Sequence, residues 1–483
     1  MSDLFSMMIP GARGEGAPLA VHAPYDGSLI ATVERAGPAG VAAALETADR
    51  LFRDRDAWLG PARRIEILTR AASLLEERRE DLAIEASREG GKPLRDSLVE
   101  ADRAADSLRS CVERLRTAAG REIPMNINAA SAGRVAFTRR EPVGVVLAFS
   151  AFNHPLNLIA HQVGPAVAAG CPVIVKPAEA TPLSCWRFVA ILREAGLPDA
   201  WCQPLLATDL DVAGSMVSDP RVGFFSFIGS SKIGWMLRSR LAPGARCALE
   251  HGGAAPVLIA ADADLESAVP LLVKGGFYHA GQVCVSVQRI FAHERVAREL
   301  SERLAAAAGA LEVGDPTRDG TDVGPLIRTG EVRRVQEWID EAVGGGAVAV
   351  TGGRSVSERI YAPTVLWDPP AGARVSRLEV FGPVVCVYPV RDLDEGIARA
   401  NELPLRFQAA VFTRDLDTAF RAAGRLCASA VMVNDHTAFR VDWMPFGGLA
   451  ESGLGTGGIP FTMDDMTVEK LVVFRSKEWG FGD

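Results

Sequence analysis

Short apolar runs alternate with helical patterns through the first half of this chain, and this alternation restricts the possible folds more than any other feature. Runs of this kind are typical of strands that are buried on both faces. Helical segments such as "LNLIAHQVGPAVAAG" and "PLSCWRFVAILREAG" separate them. The pattern predicts an α/β fold in which helices cover both faces of a parallel sheet. The strand candidates are PVGVVLAFS (142–150), CPVIVKP (171–177), VGFFSFIGS (222–230) and PVLIA (256–260).

A similar pattern restarts after about residue 260 and continues to about residue 435, which indicates a second α/β domain. A chain of 483 residues is also too long for one typical domain. Upstream, the helical spacing of apolar residues predicts one long helix over 62–89 and a second over about 94–119. Residues 133–142 and 469–476 alternate like strands, and we expect them to pair with each other or with a partner subunit. The strand candidates of the second domain are APTVLW, VVCVYPV, AAVFT and AVMVN.

The composition argues against several classes of partner. The net charge of −8 comes without a long basic run, so we expect no nucleic-acid partner. No apolar run approaches the ~18 residues of a membrane span, and the amino-terminal segment lacks the pattern of a signal peptide. The eight cysteines are scattered without CxxC pairs, so we expect neither a metal site nor a disulfide framework. Free thiols fit a cytoplasmic protein.

Two segments at the ends of strand candidates carry a candidate phosphate and ribose site. In "FIGSSKIG" the strand runs into Gly229 and Ser230, and we place the start of a helix at Gly234. A glycine lets the backbone approach a phosphate, and a helix amino terminus favours its negative charge. In "VIVKPAEATP", Lys176 and Glu179 follow a buried strand, and a carboxylate there can bind a ribose diol. The alternatives are a plain glycine turn and a glutamate that only favours a helix dipole.

Cys284 is set apart because glycine and polar residues surround it in "YHAGQVCVSVQR". A thiol becomes a nucleophile when a neighbouring group lowers its pKa or takes its proton. Glu250, in "LEHGG", is a candidate general base for the thiol or for a water. Asn153, in "FSAFNHPLN", follows a buried strand, and its side-chain NH₂ is a candidate donor to an oxyanion. Taken singly, the three have plainer interpretations as a buried structural cysteine, a surface charge and a helix cap.

Seven motifs resemble the aldehyde dehydrogenase superfamily, in that family's order and over almost the whole chain. They are FNHP, KPAEATP, FIGSSKIG, LEHGG, GQVC, LEVFGPV and MPFGGLAESGLG. The 34 residues from Glu250 to Cys284 also match the family's spacing. The resemblance implies a Rossmann-like NAD-binding domain, an α/β catalytic domain and a small β extension that builds oligomers. The implied ranges are, in that order, 1–120 with 143–249, then 250–435, then 121–142 with 459–483.

The resemblance also implies the chemistry. Cys284 attacks an aldehyde to give a thiohemiacetal and, after hydride transfer, a thioester, while Asn153 and the Cys284 backbone N–H hold the oxyanion. Glu250 activates the water that releases a carboxylic acid. Glu179 favours NAD because it would repel a 2′-phosphate, and NADP stays possible. The implied cofactor contacts run from the adenosine ribose through the pyrophosphate to the nicotinamide ribose, and they are Lys176, Glu179, Gly229, Ser230, Gly234, Glu379 and Phe381.

Two segments, "NHPLNLIAHQVGPA" and "HTAFRVDWMPFGG", resemble the lactaldehyde, phosphonoacetaldehyde and non-phosphorylating glyceraldehyde-phosphate dehydrogenase branch. His161 and Arg440 together would suit the anionic tail of a small aldehyde, and Arg103 is a candidate third contact. A hydroxylated aldehyde stays open as well. The alternative is that Arg440 pairs with a neighbouring aspartate, Asp435 or Asp442, and that Arg103 lies on a solvated helix face.

Departures from the family pattern narrow these expectations. Val283 stands where we expect an arginine in the glyceraldehyde-phosphate enzymes, so a sugar phosphate is less favoured. The family's usual LELGGK is LEHGGA here, so His251 replaces an apolar residue and Ala254 a lysine. We expect a packed neutral histidine, and a charge that perturbs Glu250 is the alternative.

Two rival functions and the assembly stay open. A CoA-acylating dehydrogenase would pass the acyl group to CoA, but Glu250 favours hydrolysis. A catalytically silent binding or structural member of the fold is the rival from another class. The resemblance implies a homodimer or homotetramer.

Overall fold

The computed structural model describes residues 3–479, so residues 1–2 and 480–483 of the expected domain ranges lie outside it. The helices are α1 Pro38–Arg53, α2 Pro61–Glu77, α3 Arg79–Gly90, α4 Leu94–Thr117, α5 Asn157–Ala169, α6 Leu183–Glu194, α7 Leu210–Val217, α8 Ser231–Arg238, α9 Leu265–Phe277, α10 Glu294–Gly309, α11 Thr329–Gly344, α12 Arg374–Arg377, α13 Leu393–Ala400, α14 Leu416–Arg425 and α15 Ile459–Asp465.

The strands are β1 Asp3–Phe5, β2 Leu19–His22, β3 Leu29–Val33, β4 Glu122–Ile123, β5 Arg134–Pro142, β6 Val145–Phe149, β7 Val173–Lys176, β8 Cys202–Pro204, β9 Val222–Ile228, β10 Arg246–Glu250, β11 Ala255–Ile259, β12 Val287–His293, β13 Val348–Thr351, β14 Thr364–Trp367, β15 Val384–Val390, β16 Leu405–Arg406, β17 Gln408–Phe412, β18 Ala430–Val433, β19 Leu449–Ala450, β20 Gly453–Leu454 and β21 Thr467–Arg475.

The first large sheet has six strands in the order β20-β10-β9-β6-β7-β8, of which all but β20 are parallel. Strand β6 is buried along its whole length, as its apolar run predicts. The chain adds β7 on one side of β6 and later β9 on the other side. Open α/β sheets bind ligands where the strand order reverses in this way, at the carboxyl ends of the strands.

The second large sheet has seven strands in the order β13-β14-β15-β12-β11-β17-β18, and only the edge strand β13 is antiparallel. The two sheets confirm the α/β fold with parallel strands. The apolar pattern did not reveal β12, because the buried polar residues Gln288 and Arg289 interrupt its apolar run.

The two sheets are joined directly by a short segment. Strand β10 ends at Glu250 and β11 begins at Ala255, so residues 251–254 pass from one sheet to the other. The carboxyl ends of β6, β7, β9 and β10 meet the segments that precede β12 and β15 around a shared cavity. The residues that end the first sheet's strands therefore lie close to those that begin the second sheet's strands.

A small three-stranded sheet, β21-β5-β4, forms a separate antiparallel layer. Strand β5 pairs with β21 in an unbroken register from Arg134 opposite Arg475 to Pro142 opposite Thr467. The two alternating segments thus pair with each other. The range 459–483 does not begin with a strand, because α15 occupies residues 459–465 and packs on α4 and α5. The division into domains stays a prediction.

The prediction of one helix over 62–89 is wrong. Helix α2 ends at Glu77 and α3 begins at Arg79, with Arg78 between them at φ −107° and ψ 16°. The apolar spacing continues across this break, and neither glycine nor proline marks it. The sequence pattern therefore does not reveal that two helices are present. Helix α3 ends in a left-handed Gly91 as the "GGKP" signal indicates, and α4 agrees with the second predicted helix. In the range 3–479, no helix is long and apolar enough to cross a membrane.

Candidate active site

A cavity of about 480 Å³ lies between the two large sheets. It brings together residues that are far apart in the sequence, because strands of both sheets end or begin at this junction. His161 and Gly234 are missing from its lining. The residues singled out from the sequence that do line it are Arg103, Asn153, Lys176, Glu179, Gly229, Ser230, Glu250, Cys284, Glu379, Phe381 and Arg440.

Cys284 and Glu250 approach each other in this cavity. The Cys284 Sγ lies 3.9 Å from Oε1 of Glu250, which is the last residue of β10. Burial raises the pKa of the Cys284 thiol well above its ordinary value, and the neighbouring Glu250 carboxylate raises it further. Burial also raises the pKa of Glu250. A protonated thiol therefore faces a carboxyl group that can take its proton.

The backbone before Cys284 is strained. Residues 279–281 are consecutively left-handed, with φ between 47° and 69°. A Cβ at Gly281 would lie 2.1 Å from the carbonyl oxygen of Gly382, so only glycine fits there. The buried side chain of Gln282 accepts a hydrogen bond from the Ile327 N–H at 3.0 Å. Such strain persists where surrounding contacts hold it, and it fixes the direction in which Cys284 points.

Asn153 joins this loop to the end of β6. Its Nδ2 donates to the carbonyl oxygen of Gln282 at 3.0 Å, and the side chain is buried. An asparagine amide has two N–H donors, so this bond leaves one donor for another acceptor. Because Gln282 lies two residues before Cys284, the contact holds the Asn153 amide against the loop that carries the thiol.

A buried ion pair lies beneath Asn153, and the sequence analysis missed it. Glu100 pairs with Lys92, and both side chains are 1% exposed. Glu100 Oε1 also accepts the backbone N–H groups of Leu156 and Asn157, each at 2.9 Å, at the start of α5. Lys92 Nζ donates to the carbonyl oxygen of Asn153 at 3.4 Å. Lys92 belongs to the "GGKP" helix stop, and nothing in that local pattern indicates a buried lysine, since lysine is almost never fully buried unless it is paired.

The other end of the cavity has the chemistry of a dinucleotide site. Lys176 ends β7 with its Nζ 5.6 Å from the centre of the Phe149 ring, and burial lowers the pKa of Lys176 while Glu179 opposes that shift. Ser230 directly precedes α8, whose first N–H groups have no partner within the helix. A half-buried carboxylate, an ammonium group and a helix amino terminus are the groups that bind ribose and pyrophosphate.

Glu379 and Phe381 lie between this end and the thiol. Glu379 Oε1 accepts the Gly253 N–H at 3.1 Å, and burial raises the pKa of Glu379 to about 8. A Cβ at Gly252 would lie 1.9 Å from the Glu379 carboxylate, so the glycine in "LEHGG" makes room for it. Phe381 is left-handed at φ 45° and packs edge-on against Phe152 at 5.8 Å.

The prediction that a helix starts at Gly234 is wrong. Helix α8 starts at Ser231, and Gly234 lies in its first turn, where a Cβ would be 2.0 Å from the ring of His251. The glycine therefore makes room for an imidazole and does not face the cavity. His251 is 1% exposed and burial lowers its pKa, in agreement with the expected packed neutral histidine.

The three candidate substrate residues meet at Asp442. Arg103 binds its carboxylate with two hydrogen bonds, of 3.1 and 2.6 Å, and His161 Nε2 approaches it at 2.7 Å. Arg440 Nη2 donates to His161 Nδ1 at 3.2 Å, while its Nε lies 3.9 Å from Asp442. Burial and the positive charge of Arg440 lower the pKa of His161 to about 4, so the imidazole is neutral. His161 thus contacts Arg440 and not the cavity.

Comparison with known proteins decides the family. The model of the aldehyde dehydrogenase family matches residues 12–472. The chain belongs to the aldehyde dehydrogenase family. A 3-sulfolactaldehyde dehydrogenase of Priestia aryabhattai is 38% identical over 415 residues, which cover 86% of this chain and 87% of that protein. A lactaldehyde dehydrogenase of Methanocaldococcus jannaschii is 32% identical over 93% of this chain and 96% of its own.

Solved structures agree with this membership. Aldehyde dehydrogenase 21 from Physcomitrella patens, in complex with the reaction product succinate, has a TM-score of 0.94 at 33% identity, with 99% of this chain and 100% of that chain covered. The glyceraldehyde-3-phosphate dehydrogenase GapN of Methanocaldococcus jannaschii, complexed with NADP, has a TM-score of 0.90 at 32% identity, with 95% and 99% covered. The protein is an NAD(P)-dependent aldehyde dehydrogenase that oxidises aldehydes. Among residues 3–479, no group of three or more His, Cys, Asp and Glu side chains could hold a metal ion.

Proposed function

We propose that this aldehyde dehydrogenase oxidises a small anionic aldehyde to a carboxylic acid, with Cys284 as nucleophile, Glu250 as general base and Asn153 as oxyanion donor. The observation that carries the proposal is the half-buried 3.9 Å approach of the Cys284 Sγ to Glu250 Oε1 beside the Asn153 amide. A thiol, a base within reach and an oxyanion donor are the parts that acyl transfer needs.

In the proposed reaction, Glu250 takes the thiol proton while the Cys284 sulfur forms a bond to the aldehyde carbon. The resulting oxyanion accepts hydrogen bonds from Asn153 Nδ2 and the Cys284 backbone N–H. A bound nicotinamide cofactor would supply the acceptor for the hydride of this carbon, and loss of that hydride leaves a thioester. Glu250 releases the first proton to solvent and then takes a proton from water as the water oxygen attacks the thioester carbon. The carbon–sulfur bond breaks, the acid leaves, and the thiolate regains its proton from Glu250.

The cofactor residues are proposed along the same cavity. Lys176 and Glu179 bind the adenosine ribose, and Gly229 with Ser230 and the start of α8 bind the pyrophosphate. Glu379 binds the nicotinamide ribose, against which Phe381 packs. Gly234 contributes only by making room for His251. The Glu179 carboxylate favours NAD over NADP, because a 2′-phosphate would meet a negative charge.

Arg440 supports the anionic substrate. Its side chain is 11% exposed, lines the cavity with Cys284, and has an Nε without a hydrogen-bond partner in the described chain. A largely buried guanidinium that lines the cavity is a strong site for carboxylate, phosphonate or sulfonate oxygens. Arg103 is a weaker candidate because two of its nitrogens already bind Asp442. The relative named for sulfolactaldehyde and the structure that holds succinate both concern acidic compounds.

The substrate proposal is tested with about ten aldehydes, half of them acidic, by following NADH formation. We expect kcat/KM to be at least tenfold higher for the acidic aldehydes. Arg440→Ala should raise KM for these by tenfold or more, as expected for loss of a charge-assisted hydrogen bond, and hardly change KM for propanal. Arg303→Ala on the surface of α10 is the control for loss of one positive charge. Equal effects of Arg440→Ala on acidic and neutral aldehydes would contradict the proposal.

Hydrolysis is distinguished from acyl transfer to CoA by the product formed without CoA. We expect free acid at the full rate of NADH formation, because Glu250 is placed to activate water. A requirement for CoA would favour the CoA-acylating alternative. Localisation in the cytoplasm stays a prediction.

A further inference from the structure

We propose that His251 is a positioning residue for the cofactor: its imidazole fixes the carbonyl of Gly229 and so orients the Gly229–Ser230 turn toward the pyrophosphate. This inference rests on the cofactor site proposed above. It assigns a role to the histidine that stands where the family's pattern has an apolar residue.

The first observation is the side-chain hydrogen bond. His251 Nδ1 lies 3.0 Å from the carbonyl oxygen of Gly229. A carbonyl oxygen only accepts, so the neutral ring carries its proton on Nδ1. Nε2 has no hydrogen-bond partner among residues 3–479, which agrees with this tautomer. An apolar side chain at this position would leave the Gly229 carbonyl without the bond.

The second observation is that the backbone holds Gly229 from the same segment. The Gly229 N–H donates to the carbonyl oxygen of Glu250 at 3.0 Å, and the His251 N–H donates to Ser452 at 3.0 Å. The last residue of β10 thus binds the Gly229 N–H while the next residue binds its carbonyl. Hydrogen bonds therefore hold both the N–H and the carbonyl of Gly229. Together they fix the direction in which the chain enters Ser230 and α8.

The third observation is that the imidazole is confined. The centroid of the His251 ring lies 5.7 Å from the ring centroids of Phe227 and of Trp235. The ring also lies so close to Gly234 that a Cβ at that position would clash with it. A ring packed in this way cannot leave the Gly229 carbonyl without displacing its neighbours. The turn is therefore preorganised before the cofactor binds, which lowers the ordering cost of binding.

Three substitutions separate this role from packing. His251→Asn places an amide N–H near the position of Nδ1, His251→Gln places its amide near Nε2, and His251→Leu restores an apolar side chain. Calorimetry of the full-length protein measures the dissociation constants of NAD⁺ and of ADP-ribose, which lacks nicotinamide. We expect the Leu and Gln variants to weaken both ligands about fivefold, equivalent to ~1 kcal/mol, and the Asn variant to stay within twofold of the unchanged protein.

Steady-state kinetics give the second measurement. KM for NAD⁺ should rise in parallel with the dissociation constant, whereas kcat at saturating NAD⁺ should change by less than twofold. Loss of NAD⁺ affinity without loss of ADP-ribose affinity would show a nicotinamide contact and overturn the inference. Equal losses in the Asn and Leu variants would overturn it too. If His251→Leu does not fold, the Asn and Gln pair still decides. If the unchanged protein does not bind ADP-ribose, the proposed cofactor site is itself wrong, and the inference about His251 fails with it.

Discussion

The Cys284 thiol and the Glu250 carboxyl influence each other because both are half-buried and lie 3.9 Å apart. Burial and the Glu250 charge both raise the pKa of the thiol. In Glu250→Gln the second cause is absent, so the thiol pKa should fall and more thiolate should be present at a given pH. We therefore expect iodoacetamide to alkylate Cys284 faster at pH 8 in Glu250→Gln. The kcat should nevertheless fall by 10²-fold or more, since the base that activates water is lost.

Alkylation is read on the Cys284 peptide by mass spectrometry, because Cys427 is exposed and also reacts. Across pH, the labelling rate of the unchanged enzyme should rise into the alkaline range, and the profile of Glu250→Gln should lie at lower pH. Slower labelling in Glu250→Gln would mean that the carboxylate assists the thiol by taking its proton more than it opposes ionisation by its charge.

At the residue scale, Glu179 is the proposed determinant of the choice between the two dinucleotides. It lines the same cavity as Lys176, and its negative charge opposes a 2′-phosphate. Glu179→Ala should raise the ratio of kcat/KM for NADP to that for NAD by about tenfold, or ~1.4 kcal/mol. Glu302→Ala, exposed on α10, controls for the change in net charge. Comparable kcat/KM values for the two cofactors in the unchanged enzyme would refute the preference.

At the scale of elements, helix α4 supports the start of α5 through Glu100. This one side chain accepts two N–H groups of α5 and pairs with the buried Lys92. Glu100→Gln leaves the ammonium group without its counter-charge, and breaking such a pair costs about 3–5 kcal/mol. We expect a clear fall in Tm and a lower kcat, because the Asn153 loop loses its support.

The double variant Lys92→Met with Glu100→Gln tests that reason. It removes both charges, so its Tm should lie above that of Glu100→Gln alone. A double variant as unstable as, or less stable than, the single one would mean that the hydrogen bonds, and not the unpaired charge, dominate.

The elements themselves were largely predictable, and their contacts were not. Apolar runs located β6, β7 and β9, and they predicted that Asn153 and Lys176 each follow or end a buried strand. The sequence indicated Asp442 only as a possible partner of the neighbouring Arg440, and no local pattern shows that it binds Arg103 from 339 residues away and His161 from 281 residues away. The same limit explains Gly234, since only the folded chain shows that His251 occupies the space beside it.

At the scale of the molecule, the three-stranded extension exposes an apolar face. Phe137 and Phe474 are 39% and 58% exposed and stack at 6.1 Å on one face of the β5–β21 pair, and Leu471 and Val473 are exposed on its other face. Exposed apolar patches of this kind mark interfaces, and a second copy of the chain is the proposed partner. Phe474→Asp should lower the oligomeric mass measured by light scattering. Phe420→Asp, at 68% exposure on α14, should leave it unchanged. A monomeric unchanged enzyme would contradict the proposed homodimer or homotetramer.

Strand β20 returns the end of the chain to the first sheet, where Gly453 pairs with Glu250 and Leu454 with Leu249. Helix α15 then packs on α4 and α5, and β21 completes the sheet of β5. A chimaera that takes residues 1–249 from a related enzyme would therefore set them against a foreign carboxyl-terminal tail. Exchange of residues 1–250 together with 453–475 keeps every one of these pairings within one parent, and the crossover points then fall on either side of the seven-stranded sheet.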